Sequence, residues 1–331
     1  MSKKDKDMNK VKVTVFADPV CTWCWGSVPV TRALAYAYGE NVEISYVMGG
    51  MIEDITTFSN RRLSIGGDIE LSNRNIHQHW LEASAVHGMP VCESGFHLFT
   101  PERPSTIPQN YAYLAAEIYT RENPNTLPIN SHLRFLRRLQ EATAADAAHT
   151  NDVNVLCGIA ATTGFDPHRF RTLYGSDEVR DAYAKCKSLC KRYDVQTFPT
   201  FCLEYRGEEM VLRGYSTLNI VRHSIDHLTF ENIKPIADGR MHLTHENVMR
   251  FISRYGTAYP IEIATAFGLK RKEGHTALNA ESYEKLPDVL EQLISAGRIA
   301  MAPKGNGFMY YTIKGKETAW QRRDRHMAGV L

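Results

Sequence analysis

The stretch Asp18-Pro19-Val20-Cys21-Thr22-Trp23-Cys24-Trp25-Gly26 decides the fold of this chain. Residues 11–17 before it form an apolar, β-branched run that predicts a buried strand, and residues 28–38 after it have the pattern of a helix. The two cysteines, Cys21 and Cys24, are therefore predicted to lie where a strand leads into a helix.

This position suits thiol chemistry. Only a thiolate attacks a disulfide, and the free N–H groups and the dipole at a helix N-terminus stabilise negative charge. We therefore expect Cys21 to be the nucleophile. Cys24 lies one turn further along the same helix face, so it can attack the mixed disulfide and release the substrate. Cys24 is the predicted resolving thiol.

A Cys-x-x-Cys pair also fits half of a zinc site. However, no second cysteine or histidine pair follows at ligand spacing, and Trp23 and Trp25 flank this pair instead of the turn residues of a zinc knuckle. Pro29, five residues after Cys24, would kink a helix that it interrupts. The sequence therefore favours a redox pair over zinc, and we expect no metal or other cofactor.

Three segments together resemble the DsbA-like thioredoxin-fold proteins, and in particular the cytosolic, FrnE-like branch of predicted disulfide isomerases. They are the Cys21–Cys24 motif, Tyr46-Val47-Met48-Gly49-Gly50 at the end of a second strand, and Val195-Gln196-Thr197-Phe198-Pro199-Thr200 further on. The resemblance covers roughly the first 230 residues, which is more than a bare thioredoxin fold needs. It implies an α/β thioredoxin fold with a large helical insertion.

The same resemblance implies a substrate site beside the dithiol. These families place a cis-proline where this chain has Pro199, and the preceding residue would offer its backbone groups to an extended substrate, as in strand addition. The sequence alone leaves an ordinary strand-initiating proline open, because only about 5–6% of X–Pro bonds in folded proteins are cis. The residues expected to contact substrate are Trp23, Phe198, Pro199 and Thr200.

Two positions depart from the family pattern. Val15 stands six residues before Cys21, where thioredoxin and DsbA have a buried carboxylate, so the proton acceptor for Cys24 is not identified. Asp18 is close in the chain but falls in the predicted loop. Trp23 stands where strongly oxidising DsbA proteins have a histidine that favours the thiolate. We therefore expect a weaker oxidant than DsbA, whose potential is about −120 mV.

The chain has seven cysteines, an odd number that is atypical of a framework of structural disulfides. Cys186 and Cys190 lie four residues apart in a predicted helix and would face the same way. Some FrnE-like proteins have an auxiliary redox pair in a comparable place, but with different spacing. We favour two unpaired thiols, since such a helical pair lies near the ~6–7 Å upper limit for the Cα separation of a disulfide. Three further cysteines are predicted to be core residues: Cys92, Cys157 and Cys202.

Four histidines close together in the sequence invite a metal interpretation: His77, His79, His87 and His97. The first two are two residues apart and would lie on different faces of a helix. A helix surface or a wall of the substrate groove is the favoured interpretation.

Composition places the chain among ordinary soluble proteins of one or two domains. It has 331 residues, of which 43% are hydrophobic and 23% charged, with a formal net charge of +2. So small a charge gives no global attraction to nucleic acid or an anionic membrane. The charged start, residues 1–10, lacks the apolar region of an export signal, and no apolar run approaches the ~20 residues of a membrane span. We expect a cytoplasmic protein with no membrane contact.

The pattern along the chain predicts two domains. Residues 1–230 would form the thioredoxin domain, with helices inserted over about 69–193 and a closing hairpin and helix. Residues 231–240 would be a linker. Residues 241–331 show three predicted helices and a hairpin, which resemble a winged helix of the small α+β class.

The charges of the C-terminal domain favour a protein partner over DNA. Residues 241–331 contain 13 Lys or Arg and 9 Asp or Glu, a net charge of +4. The would-be recognition helix is nevertheless acidic, and carboxylates facing phosphates would be repelled. Its acidic residues are Glu281, Glu284, Asp288 and Glu291, opposed by Lys285 alone. The basic residues cluster in 270–272 and 322–325, where contacts to a DNA backbone remain open.

The leading functional hypothesis is a cytosolic protein thiol-disulfide oxidoreductase, either a reductase or an isomerase, that uses Cys21 and Cys24. Its partners would be protein thiols or disulfides and a cellular thiol reductant. The first alternative is a non-catalytic, redox-sensitive adaptor that recruits a protein partner through its C-terminal domain, because some members of the resembled family deliver regulators to a protease. The second is a glutathione-dependent isomerase or transferase, although such relatives usually have serine at the first catalytic position.

Overall fold

A computed structural model describes residues 9–128, 130–269 and 284–313. Strand β1 (Val11–Ala17) leads into the short helix α1 (Thr22–Gly26) and then into α2 (Val28–Tyr38), and β2 (Val42–Met48) pairs parallel to β1. The predicted βαβ unit is confirmed. Pro29 lies in the first turn of α2, where a missing N–H costs no helical hydrogen bond, so the chain breaks into two helices at Ser27.

Six helices follow, over the stretch where the sequence predicts inserted helices. Four of them begin at a side-chain cap: Asp68, Asp152, Asp166 and Ser176 accept a hydrogen bond from the first turn of the helix that follows them. The six helices are α3 (Ile69–His87), α4 (Ile107–Glu122), α5 (Ser131–Ala144), α6 (Val153–Thr162), α7 (Pro167–Tyr174) and α8 (Asp177–Arg192).

The second half of the thioredoxin fold is the predicted hairpin and closing helix. Strand β3 (Thr200–Tyr205) pairs antiparallel with both β1 and β4 (Glu208–Arg213), which gives a sheet of order β2-β1-β3-β4. Thr217 caps α9 (Leu218–Leu228) by accepting a hydrogen bond from Ile220 N.

The C-terminal part contains the predicted helices and hairpin. Its elements are α10 (His245–Tyr255), β5 (Thr257–Ala258), α11 (Pro260–Ala266), α12 (Lys285–Ser295), β6 (Ile299–Lys304) and β7 (Gly307–Thr312). The strands form a sheet of order β5-β7-β6. A winged-helix arrangement stays a prediction. The predicted basic segments 270–272 and 322–325, Glu281 and most of the charged N-terminus, residues 1–8, lie outside the described residues.

The main sheet is packed on both faces. Phe16, Val47 and Cys202 face the inserted helices, while Val13 and Leu203 face α2 and α9. The hydrophobic core between the sheet, α2 and α9 continues without interruption into α10, α11 and α12 of the C-terminal part. The domain boundaries at 230 and 240 stay predictions. Among the described helices, none combines the length and the apolar character that crossing a membrane requires.

Candidate redox site

Cys21 and Cys24 lie at the predicted strand-to-helix junction. Cys21 is the N-cap of α1, and its Sγ accepts a hydrogen bond from the backbone N of Cys24 at 3.3 Å. Its own backbone N donates to the carbonyl oxygen of Asp18, which closes the turn after β1. Both cysteines are free thiols with only 5% of their surface exposed. The first sulfur thus receives a backbone donor, as a developing thiolate requires.

The Phe198–Pro199 peptide bond is cis and lies beside this pair. The Cys21 Sγ donates to the carbonyl oxygen of Phe198 at 3.5 Å, so the structure brings these three predicted residues together. Thr200 lies behind the loop, fully buried, with its hydroxyl donating to Thr197 O at 2.8 Å. Its observed contact supports the shape of the loop.

Gly49 makes room for this loop. A Cβ placed at Gly49 would lie 2.0 Å from the Phe198 ring, which is closer than real atoms approach. The glycine at the end of β2 therefore lets the loop approach the sheet, which explains why the segments 46–50 and 195–200 occur together in one site.

Trp23 is the partly exposed member of the motif. Its ring packs against His79, His87 and Tyr215, with centroid distances of 6.2, 5.9 and 5.5 Å. His79 therefore lies beside Trp23 on α3, partly buried. That these rings line a substrate groove stays a prediction. Burial lowers the pKa of His79. Tyr215 was missed by the sequence analysis, because nothing local distinguishes this tyrosine from others near a strand end.

His87 is buried and packs against α1. Its Nδ1 accepts from Met89 N at 3.1 Å, which leaves the proton on Nε2, and Nε2 lies 3.4 Å from the Thr22 hydroxyl. A Cβ at Gly26 would lie 2.5 Å from the His87 ring. The glycine of the motif is therefore required by the packing of this histidine.

The other two histidines lie elsewhere. His77 stacks on Phe96 and bonds the carbonyl oxygen of Cys92 at 2.8 Å, and His97 lies 3.9 Å from Glu70. Within residues 9–128, 130–269 and 284–313, no group of three or more His, Cys, Asp or Glu side chains could hold a metal ion.

Asp18 is the buried carboxylate of this site. Its Oδ1 accepts from Val20 N at 2.8 Å, and its Oδ2 accepts from Met51 N, Asn110 Nδ2 and Thr106 Oγ1 at 2.7, 2.9 and 3.1 Å. It is 0% exposed, and no ion pair among the described residues includes it. Burial raises its pKa, although these four hydrogen bonds oppose the shift.

The same aspartate influences the Cys24 thiol. Burial raises the pKa of the Cys24 thiol well above its usual value, and the neighbouring Cys21 and the Asp18 carboxylate raise it further, while a hydrogen bond from the Asp18 backbone opposes them. The sequence analysis placed Asp18 in the loop without recognising its burial. The available signal was an aspartate at the end of an apolar strand.

Cys186 and Cys190 lie in α8 as free thiols, Cys186 buried and Cys190 half-buried. Burial raises the pKa of both, that of Cys186 to about 11. Protonated thiols are poor nucleophiles. The other three cysteines are buried, as predicted: Cys92, Cys157 and Cys202.

The dithiol and the Phe198–Pro199 loop both lie within the part of the chain that matches a known protein family. A family model described as thioredoxin matches residues 14–223. The ClpXP adapter protein SpxH of Halalkalibacterium halodurans is 24% identical over 278 residues, which are 83% of this chain and 84% of the relative. SpxH of Bacillus subtilis is 22% identical over 230 residues, 68% of this chain and 70% of that protein.

A solved structure supports the fold. A candidate protein disulfide isomerase from Nitrosomonas europaea superposes with a TM-score of 0.55 at 18% identity, over 67% of this chain and 99% of that one. The predicted thioredoxin fold with a helical insertion is confirmed.

Proposed function

Because this chain belongs to the thioredoxin family, we propose that it is a protein thiol-disulfide oxidoreductase, a reductase or isomerase of the cytoplasm. The observation that carries the proposal is the position of the Cys21 sulfur, which lies at the N-terminus of α1 and 3.5 Å from the Phe198 carbonyl oxygen. A substrate chain lying along the Phe198–Pro199 loop would present its disulfide to Cys21.

The reaction begins when the Cys21 thiolate attacks one sulfur of the substrate disulfide. A bond forms between these two sulfurs, and the other substrate sulfur leaves as a thiolate. Cys24 then loses its proton and attacks the Cys21 sulfur, which forms the Cys21–Cys24 disulfide and releases the reduced substrate. Two electrons have passed to the substrate, and a cellular thiol reductant replaces them.

Isomerisation uses only the first step. Another thiolate of the substrate attacks the mixed disulfide and displaces Cys21 as a thiolate, so the substrate changes its pairing without net transfer of electrons. Which outcome prevails depends on whether Cys24 or the substrate thiol reaches the mixed disulfide first.

We infer that Asp18 accepts the proton that the Cys24 thiol loses before it attacks. The Cys24 thiol must be deprotonated before it attacks, and its raised pKa makes a nearby base necessary. Asp18 acts on the pKa of the Cys24 thiol through both its backbone and its carboxylate, and this carboxylate is shielded from solvent. A carboxylate whose pKa is raised by burial accepts a proton more readily than an exposed one.

The test is reduction of insulin by the purified protein with a thiol reductant. Cys21→Ser should abolish turnover, and Cys24→Ser should accumulate mixed disulfides with the substrate. Cys186→Ser and Cys190→Ser are matched controls that should retain activity. Full activity of the Cys21 variant, or none in the wild type, would refute the proposal.

A second candidate function is that of an adapter. It is favoured by the likeness to two proteins named ClpXP adapters, since the alignment with the first spans 278 residues and exceeds the 14–223 match to the thioredoxin family. An adapter would use its surface to hold a protein partner, and the dithiol would be secondary.

Purified ClpXP provides the discriminating experiment. The wild type and a Cys21→Ser/Cys24→Ser double variant are compared for binding to ClpXP and for their effect on degradation. An adapter keeps both properties without its thiols, whereas an oxidoreductase loses insulin reduction in the double variant. Absence of any interaction with ClpXP would exclude this second function.

A further inference from the structure

Trp25, the residue after Cys24, joins the dithiol helix to the C-terminal part of the chain. It is fully buried, and its indole N–H donates to the carbonyl oxygen of Pro90 at 2.8 Å. The guanidinium of Arg137, from α5, lies 4.5 Å from the indole ring centre. The ring of Tyr259, just before α11, meets the indole edge-on at 6.0 Å.

Arg137 is itself held by two buried glutamates. Its Nε and Nη2 donate to the two carboxylate oxygens of Glu262, in α11, each at 3.2 Å, and its Nη1 donates to Glu141 at 3.2 Å. Arg32 of α2 donates to the same Glu262 at 2.9 Å, and the Tyr259 hydroxyl donates to Glu141 at 2.6 Å. Arg138 of α5 adds an ion pair to Glu141 at 3.4 Å. Three arginines and two glutamates thus form a cluster that joins α2, α5 and α11.

The charged groups of this cluster must keep their partners, because they are buried away from water. Glu262 has no exposed side-chain surface, and Arg137 has 8%. A buried charge that loses its partner is strongly unfavourable, so the position of Arg137 over Trp25 depends on Glu262 and on the Tyr259–Glu141 bond.

We propose that Glu262 and Tyr259 are positioning residues for the dithiol: through Arg137 they hold Trp25, and through Trp25 they hold α1 with Cys21 at its N-terminus. The inference rests on the proposed function in taking Cys21 and Cys24 as the reactive pair. It makes the C-terminal part of the chain a component of the redox centre rather than a separate appendage.

The physical reason is the length of α1. A helix of five residues cannot sustain itself, so its geometry comes from the side chains that pack on it. The Cys24 N–H that reaches the Cys21 sulfur lies one residue before Trp25. If the indole shifts, this donor shifts with it, and the thiolate loses a hydrogen bond.

The test measures the rate at which iodoacetamide alkylates Cys21 in the reduced, full-length protein at pH 7, followed by mass spectrometry of the Cys21 peptide. The variants are Tyr259→Phe, Glu262→Gln, Trp25→Phe and the double variant Tyr259→Phe/Trp25→Phe. Tyr255→Phe is the matched control. The Tyr255 hydroxyl also joins the C-terminal part to α2, by donating to Arg32 O at 3.0 Å, but it is the ring of Tyr259 that packs against Trp25.

Tyr259→Phe and Glu262→Gln should each slow alkylation by about threefold or more, a change in the range of couplings between residues in contact. Tyr255→Phe should keep the wild-type rate. The double variant should be no slower than Trp25→Phe alone, because the effect passes through the indole. A general loss of folding would instead give independent, additive losses.

Wild-type rates in folded Tyr259→Phe and Glu262→Gln, or additive losses in the double variant, would overturn the inference. If Glu262→Gln does not fold, Tyr259→Phe, which removes one oxygen atom, decides alone. The proposed function fails in a different way: wild-type protein that alkylates normally at Cys21 but does not reduce insulin refutes the oxidoreductase and leaves this inference standing.

Discussion

The sulfur of Cys21 lies 3.5 Å from the carbonyl oxygen of Phe198, although 177 residues separate them in the chain. The sheet explains this proximity. Both β1, which leads to Cys21, and β3, which follows Pro199, lie side by side with Phe16 opposite Thr200. The dithiol and the loop are therefore fixed by the same pair of strands, and the predictions below concern what surrounds them.

The first prediction concerns the proton of Cys24. Asp18→Asn should slow the second step, in which Cys24 resolves the mixed disulfide, by about a hundredfold, since positioned general bases typically contribute that much or more. Alkylation of Cys21 should change far less, because Cys21 needs no proton transfer to Asp18. Rapid-quench analysis of the mixed disulfide measures the step. Glu53→Gln, an exposed carboxylate variant, is the control, and an unchanged rate in Asp18→Asn would contradict the assignment.

The second prediction follows from the raised pKa of the Asp18 carboxyl group. Its folded-state pKa lies above the ordinary value of 3.8, so the folded protein holds this proton more tightly than the unfolded chain. The resulting stabilisation is complete below the unfolded pKa and is lost as pH rises through the folded pKa. The free energy of unfolding of the wild type, relative to Asp18→Asn, should therefore fall as pH increases from about 3.8 and then level off. Urea titrations across this range provide the measurement, and a difference that rises with pH would contradict it.

The third prediction compares two glycines. Gly26→Ala should destabilise the protein by about 1–3 kcal/mol, because a Cβ there would lie 2.5 Å from the His87 ring and force the packing apart. Gly158→Ala, within α6 and with nothing within 4 Å of its added Cβ, should instead stabilise by about 0.5–1 kcal/mol. Thermal or urea denaturation of both variants decides, and equal effects would show that the His87 contact is unimportant.

The fourth prediction concerns the thiols of α8. Burial raises the pKa of Cys186 to about 11, so this thiol is protonated at neutral pH. Its alkylation should be slow at pH 7 and should accelerate about tenfold for each unit of pH until it approaches that pKa. Peptide mass spectrometry after timed alkylation follows Cys186 and Cys21 together. Rapid modification of Cys186 at pH 7 would revive the alternative of an auxiliary redox pair.

The fifth prediction is that the full-length protein forms no tight, sequence-selective complex with DNA. Asp288 and Glu291 are exposed on α12, where a recognition helix would face phosphates. A mobility-shift assay should show at most weak binding at low salt that disappears at physiological salt. Selective binding that survives physiological salt would contradict the prediction.

The sequence by itself determined the features that depend on neighbouring residues, namely the helices and strands and the dithiol motif. The apolar run before Cys21 and the patterns of the closing hairpin and helix each act within a few residues, and the structure has the predicted element at each place. The dithiol is recognised equally well, because its chemistry needs only the spacing of Cys21 and Cys24 and the start of a helix.

Only the tertiary structure decided which distant groups surround the dithiol. An aspartate before a proline is usually typical of an exposed turn, yet Asp18 is fully buried because Met51, Thr106 and Asn110 converge on it from other parts of the chain. The contact between Trp25 and Tyr259 likewise depends on the C-terminal part folding back over α2. Burial and partner choice arise when segments far apart in the chain pack together, so no local pattern carries them.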